Sequence, residues 1–165
     1  VVASKVPAAD YAAVADSVWI DLSKGLGCPV GAVMAGSTAF IEDAWIWKQR
    51  LGGSMRQSGV LAAAGLYALD NNVERLADDH ANARRFAELA TEIPGIAVDA
   101  ASVETNIVFL DVSAVGISAP EISERLAARS VRIGAMGPDS IRAVTHLDVD
   151  RAGVEKAAEA LRAVL

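Results

Sequence analysis

The 165-residue sequence has one cysteine, Cys28, so no internal disulfide framework can form. One cysteine and two histidines also leave little for a Cys/His zinc site. Aromatic residues make up only 5% of the chain, and basic residues are outnumbered. Lys+Arg is 15 against 21 Asp+Glu, a formal charge of −6, which argues against a nucleic-acid backbone or an anionic membrane surface as the main partner. No apolar run approaches the roughly 20 residues of a membrane-spanning helix, although 53% of the residues are apolar and the mean hydropathy is +0.32. Val1 to Pro7 shows no charged segment leading into an apolar one, so no signal peptide is expected and the default compartment is the cytoplasm. A start at Val rather than Met fits a trimmed chain or a piece of a longer one. What is present is core-forming material, much of it alanine, which excludes disorder by composition. High hydropathy without a span points to surface meant for a partner or for missing chain.

Along the chain, Pro7 precedes a short helical segment. Ser17 to Leu22 predicts a buried strand, and Val30 to Gly36 a second one. Between them lies the turn-rich stretch Ser23-Lys24-Gly25-Leu26-Gly27-Cys28-Pro29. Ser37 or Thr38 caps a helix through Lys48, which Gly52-Gly53-Ser54 breaks. A nearly all-apolar helix, about Met55 to Leu69, is expected to be buried on several sides. Asp70-Asn71-Asn72 is the candidate domain boundary, dividing residues 1–72 from 73–165. An amphipathic helix follows, about Val73 to Thr91. Val73, Leu76, His80, Ala83, Ala87 and Leu89 face inward, and Asp78-Asp79 forms a solvated face. The last third predicts a strand over Thr105–Val112 and a helix from Ser118 with Glu121 in a capping box. Short strands at Val131–Ile133 and Ile141–Thr145 come next, then a terminal helix capped by Asp150. That order suggests a small α+β layer with helices on one face of a sheet.

Lys24 is the first residue to weigh for chemistry. An amine at a strand end beside flexible backbone can be desolvated, which frees the neutral form that a covalent lysine requires. Gly25 and Gly27 would let a large planar group approach the backbone. On local features alone such a lysine is more often a solvated surface charge. Arg56, after Gly52-Gly53, could meet an anion near a helix start, or pair locally. Trp19, Trp45 and Trp47 sit on separate elements and read as core or interface packing. Cys28 reads as a small buried residue, and His80 and His146 as structural.

Several stretches together resemble the low-specificity L-threonine aldolase family. They are Ser23-Lys24-Gly25-Leu26-Gly27-Cys28-Pro29-Val30-Gly31, Leu51 to Gly65, Asn71 to Leu76, Asp79-His80, Glu104-Thr105-Asn106 and Ile141 to Val149. The match runs in order through nearly the whole chain. The resemblance implies the C-terminal half of a pyridoxal-phosphate enzyme with an aspartate-aminotransferase-like (fold type I) α/β architecture. Residues 1–72 would be part of the large cofactor-binding domain and 73–165 the small α+β domain. It implies that Lys24 is the catalytic lysine bonded to pyridoxal 5'-phosphate, and that Arg142 binds the substrate carboxylate. It further implies that Arg56 lies near the cofactor phosphate. The implied reaction cleaves L-threonine, L-allo-threonine or a related β-hydroxy-α-amino acid to glycine and an aldehyde. The implied partners are the amino-acid substrate, the missing N-terminal half and further copies of the chain in a dimer or tetramer.

The chain departs from the family at two places. Gln49 stands where family members commonly have a lysine, and Ser54 replaces the third glycine of a Gly-Gly-Gly run. The family's N-terminal half, with its phosphate loop, ring-stacking histidine and pyridine-pairing aspartate, has no counterpart here, so the isolated chain is expected to be inactive. Two other readings stay open. One is a different fold type I lyase or aminotransferase, and the other a non-catalytic assembly module.

Overall fold

A computed structural model describes residues 1–165. The chain forms two compact units, Val1–Leu76 and Ala77–Leu165.

In the first unit, α1 (Ala8–Ala12) starts directly after Pro7. Strands β1 (Ser17–Asp21) and β2 (Ala32–Gly36) pair antiparallel, from Ser17 opposite Gly36 to Asp21 opposite Ala32. Helix α2 (Thr38–Arg50) is capped by Ser37, whose Oγ accepts from the Phe40 N–H at 3.2 Å. It ends at Gly52, whose φ of +75° suits a residue without a Cβ, while the Gly53 N–H closes onto the Lys48 carbonyl at 2.7 Å. Helix α3 (Gly59–Asn71) follows. The expected burial of β1 and of α3 is not found. Both strands are almost wholly exposed, and α3 buries only Gly65 and Ala68. Trp19, Trp45 and Trp47 are likewise exposed and are not core residues. These elements carry apolar side chains on more than one face, and the unit supplies cover for only one of them. Its core is the small cluster of Leu22, Leu26, Cys28 and Ala68, with Val73 and Leu76 packed against it.

The second unit is a sheet with helices on one face. Helix α4 (Leu76–Thr91) leads into β3 (Ile107–Asp111), α5 (Ala119–Ala127), β4 (Gly134–Ala135), β5 (Ser140–Val144) and α6 (Arg151–Val164). The sheet is antiparallel in the order β3-β5-β4. Period-2 alternation drives one face inward: Val108, Leu110, Ile141 and Ala143 share a core with Phe86, Ile122, Leu126 and Leu161 of the helices. Both helix N-caps form, but the reciprocal half of the capping box does not, since the Glu121 carboxylate accepts from Arg125 Nη2 at 2.6 Å instead. Ser118 Oγ accepts from the Glu121 N–H, and Asp150 Oδ1 accepts from the Gly153 N–H at 2.8 Å.

Three expectations shift here. The strand predicted at Val131–Ile133 pairs instead at Gly134–Ala135. Ser130 adopts a φ of +61° and the Val131 N–H donates to the Leu126 carbonyl, so these residues serve the exit from α5 before pairing can begin. Helix α4 starts at Leu76 rather than Val73, because residues 73–76 form a turn closed by the Leu76 N–H on the Val73 carbonyl. Asp78-Asp79 is not a uniform solvated face. Asp78 is exposed, but Asp79 is only 1% exposed, since the buried stripe of α4 runs through Asp79, Asn82, Ala83, Phe86, Ala87 and Ala90. The Asp79 carbonyl accepts from the Thr145 hydroxyl at 2.6 Å, and Asn82 Nδ2 donates to the Val149 carbonyl at 3.1 Å.

Candidate active site

Lys24 sits on the loop joining β1 and β2, between two buried anchors, Leu22 and Leu26. The loop is closed by hydrogen bonds at 2.9 Å from the Gly27 N–H to the Lys24 carbonyl, from the Cys28 N–H to the Leu22 carbonyl, and from the Leu22 N–H to the Gly31 carbonyl. Cys28 is buried, as expected, and its Sγ lies 3.5 Å from the Ala64 carbonyl of α3. Gly27 takes a φ of +75° that a side chain would oppose. Gly25 is held for a different reason: a Cβ there would lie 2.8 Å from Leu76 Cδ2. The backbone carrying Lys24 is therefore fixed, while its side chain is exposed. Residues of this unit do not provide the desolvation that a strand-end placement suggests.

Two residues that the sequence reading did not single out hold this loop. Asn72 Nδ2 donates to the Leu26 carbonyl at 2.7 Å, and Arg75 Nη1 reaches the Gly25 carbonyl at 3.5 Å. The family-like run Asn71 to Leu76 contains both, so that run was the available signal. It read as a boundary turn because the contacts it makes are non-local.

Arg56 lies in the exposed segment between α2 and α3, just before Gln57, whose φ is +53°. It is presented from a different loop of the first unit than Lys24. Arg142 belongs to the second unit, at the middle of the central strand β5, on the open face of the sheet. Its neighbours across the sheet are Phe109 of β3 and Gly134 of β4. Ile107 and Val144 pair in the next row on the same exposed face. The guanidinium has no hydrogen bond or ion pair within the chain. Such a group, on a rigid strand beside apolar side chains, suits a carboxylate brought to it.

His80, on α4, is pushed below the usual imidazole range chiefly by burial, which the neighbouring Asp79 carboxylate opposes. His146 Nδ1 lies 3.3 Å from Asp148 Oδ1. Asp111 closes the third row of the open sheet face, opposite Ser140. The Ser113 backbone N–H, donating at 2.8 Å, and the Ser113 side chain hold its carboxyl below the usual carboxylate range.

Comparison with known proteins gives consistent results. Residues 1–113 match the beta-eliminating lyase family. A low specificity L-threonine aldolase of Escherichia coli is 45% identical over 150 residues, covering 91% of this chain and 43% of that protein. Low-specificity L-threonine aldolase 1 of Arabidopsis thaliana is 40% identical over 154 residues, covering 93% of this chain and 43% of that one. A solved structure from Listeria monocytogenes, named as a candidate L-allo-threonine aldolase, superposes with a TM-score of 0.77 at 20% identity, covering 99% of this chain and 48% of that one. The fold is thus the one expected of this half of the aspartate-aminotransferase-like architecture. The chain spans less than half the length of the relatives it matches.

Proposed function

The chain belongs to the beta-eliminating lyase family, and on that premise we propose that it is the lysine-bearing half of a pyridoxal-phosphate-dependent aldolase. The substrate is L-threonine, L-allo-threonine or a related β-hydroxy-α-amino acid, and the products are glycine and an aldehyde. The observation that carries this reading is the Lys24 amine, exposed on a loop whose backbone is clamped by buried Leu22, Leu26 and Cys28. The relatives' names support the choice of reaction.

The residues present fit the cofactor. An exposed primary amine answers an aldehyde. Gly25 and Gly27 put no side chain beside it, and Arg56 offers a cation from an exposed loop to a phosphate. When bound, pyridoxal phosphate supplies electron withdrawal from the bonds at the substrate α-carbon. This chain's residues then have separate tasks. Lys24 would hold the cofactor through its nitrogen. Arg142 binds the substrate carboxylate with its guanidinium fork and fixes how the substrate is turned about its α-carbon. The apolar side chains of Phe109, Ile107 and Val144 lower the local polarity beside that ion pair.

We assign residues 1–72 to the cofactor-binding large domain and 73–165 to the small domain. The exposed apolar faces of the first unit support a companion, namely the N-terminal portion that the relatives possess. A dimer or tetramer of the completed enzyme also fits this reading. The test is to complete the chain with that portion and supply threonine. Glycine and acetaldehyde are the expected products, lost in Lys24→Ala. A keto acid formed only with an amine acceptor would instead identify an aminotransferase. Arg142→Ala should raise KM by about a hundredfold, the equivalent of roughly 3 kcal/mol of charge-assisted hydrogen bonding.

A further inference from the structure

On the open face of the β3-β5-β4 sheet, the row through Arg142 is asymmetric. Phe109 lies directly across on one side, 56% exposed, and Gly134 lies directly across on the other. Paired residues of neighbouring strands project to the same face with their Cβ atoms about 5 Å apart. One flank of the arginine stem is therefore walled by a ring, and the other has no wall.

Nothing in the backbone or packing requires the glycine. Its φ lies outside the left-handed region, unlike that of Gly137 in the turn just beyond. A Cβ built at Gly134 would meet nothing closer than the Arg142 carbonyl oxygen at 4.0 Å. Position 134 is an exposed strand position, where glycine has no side chain to pack against its neighbours. The missing side chain thus has no folding role on this sheet, and its one evident effect is open space beside the guanidinium.

We propose that the substrate carboxylate reaches Arg142 along the Gly134 flank, so that Gly134 is a specificity-determining position while Phe109 closes the opposite flank. This rests on the reading of Arg142 as the carboxylate anchor. The ligand class is an α-amino acid whose carboxylate and α-carbon fit the slot beside the guanidinium. A side chain at 134 would narrow that slot first for the carboxylate, before it touched groups farther along the substrate.

Two measurements test this. In the 165-residue chain without cofactor, phenylglyoxal modification of each arginine is followed by peptide mass mapping. Gly134→Val should slow Arg142 at least threefold relative to the exposed Arg84 and leave the melting temperature unchanged or raised. An unchanged Arg142 rate would overturn the proposal. In the completed enzyme, Gly134→Ala and Gly134→Val should raise the KM for threonine in that order, to about tenfold for Val, with kcat within threefold. If Arg142→Ala also leaves KM unmoved, the carboxylate assignment itself fails. If Arg142→Ala raises KM and Gly134→Val does not, only the flank assignment fails.

Discussion

Lys24 owes its position to residues far from it in sequence. Asn72 Nδ2, across a sequence separation of 46, donates to the carbonyl of Leu26, two positions past the lysine. Asn72→Ala leaves that partly buried carbonyl without its partner and should cost about 1–3 kcal/mol, read as a lower denaturation midpoint of the first unit. His80 gives a pH signature. Its folded-state affinity for a proton is lowered by burial, so the unfolded chain binds more protons once the pH drops below the ordinary imidazole value of 6.5. Stability should therefore fall as the pH is lowered from about 6.5 through the folded value. His80→Gln should flatten that slope in urea titrations compared at pH 7 and pH 5. Lys24 and Arg142 stand out in the sequence only through the family resemblance, since each on local features reads as a surface charge. Their holders do not stand out, because an asparagine that caps a distant loop looks the same as one in a turn. Asp79 was misread for a related reason: a carboxylate in a charged run looks solvated until tertiary packing turns it inward.

At the level of elements, the caps were the most legible feature, since Ser118 and Asp150 act within three residues of themselves. Asp150→Ala should cost about 1 kcal/mol, lowering the melting temperature of the second unit by roughly 4–8 °C in a domain of this size. Glycines in the lysine loop have a stiffer requirement. Gly25→Val places a Cβ 2.8 Å from Leu76 Cδ2, so the Leu76 side chain must swing aside or the loop must shift. Loss of cofactor binding in the completed enzyme should accompany that change, even though Lys24 itself is untouched. Element burial was less legible. The apolar run of α3 predicts burial on several sides, yet Leu66 and Tyr67 are 65% and 64% exposed. Hydropathy reports what a helix could bury, and the rest of the fold decides what covers it. The displaced strand β4 shows the same limit, because the exit from α5 uses Val131 before pairing starts.

Across the whole molecule, the second unit has a continuous core drawn from one sheet face and three helices, whereas the first has a four-residue buried cluster beneath widely exposed apolar elements. No helix is long and apolar enough to cross a membrane, and exposed apolar patches of this kind commonly mark interaction surface. High mean hydropathy with no span already pointed to covered surface, and the chain's share of its relatives' length, 43%, agrees. The second unit should show strong amide-exchange protection in β3 and β5, and the first unit weak protection until the N-terminal portion is added. The central claim is that the amine at Lys24 is the cofactor's attachment point. The direct test is borohydride reduction of the completed, pyridoxal-phosphate-loaded enzyme, followed by peptide mass mapping. A pyridoxyl group on the peptide containing Lys24, absent in Lys24→Ala, is the predicted result. Label on any other lysine of this chain, or none in an enzyme that still cleaves threonine, would contradict it.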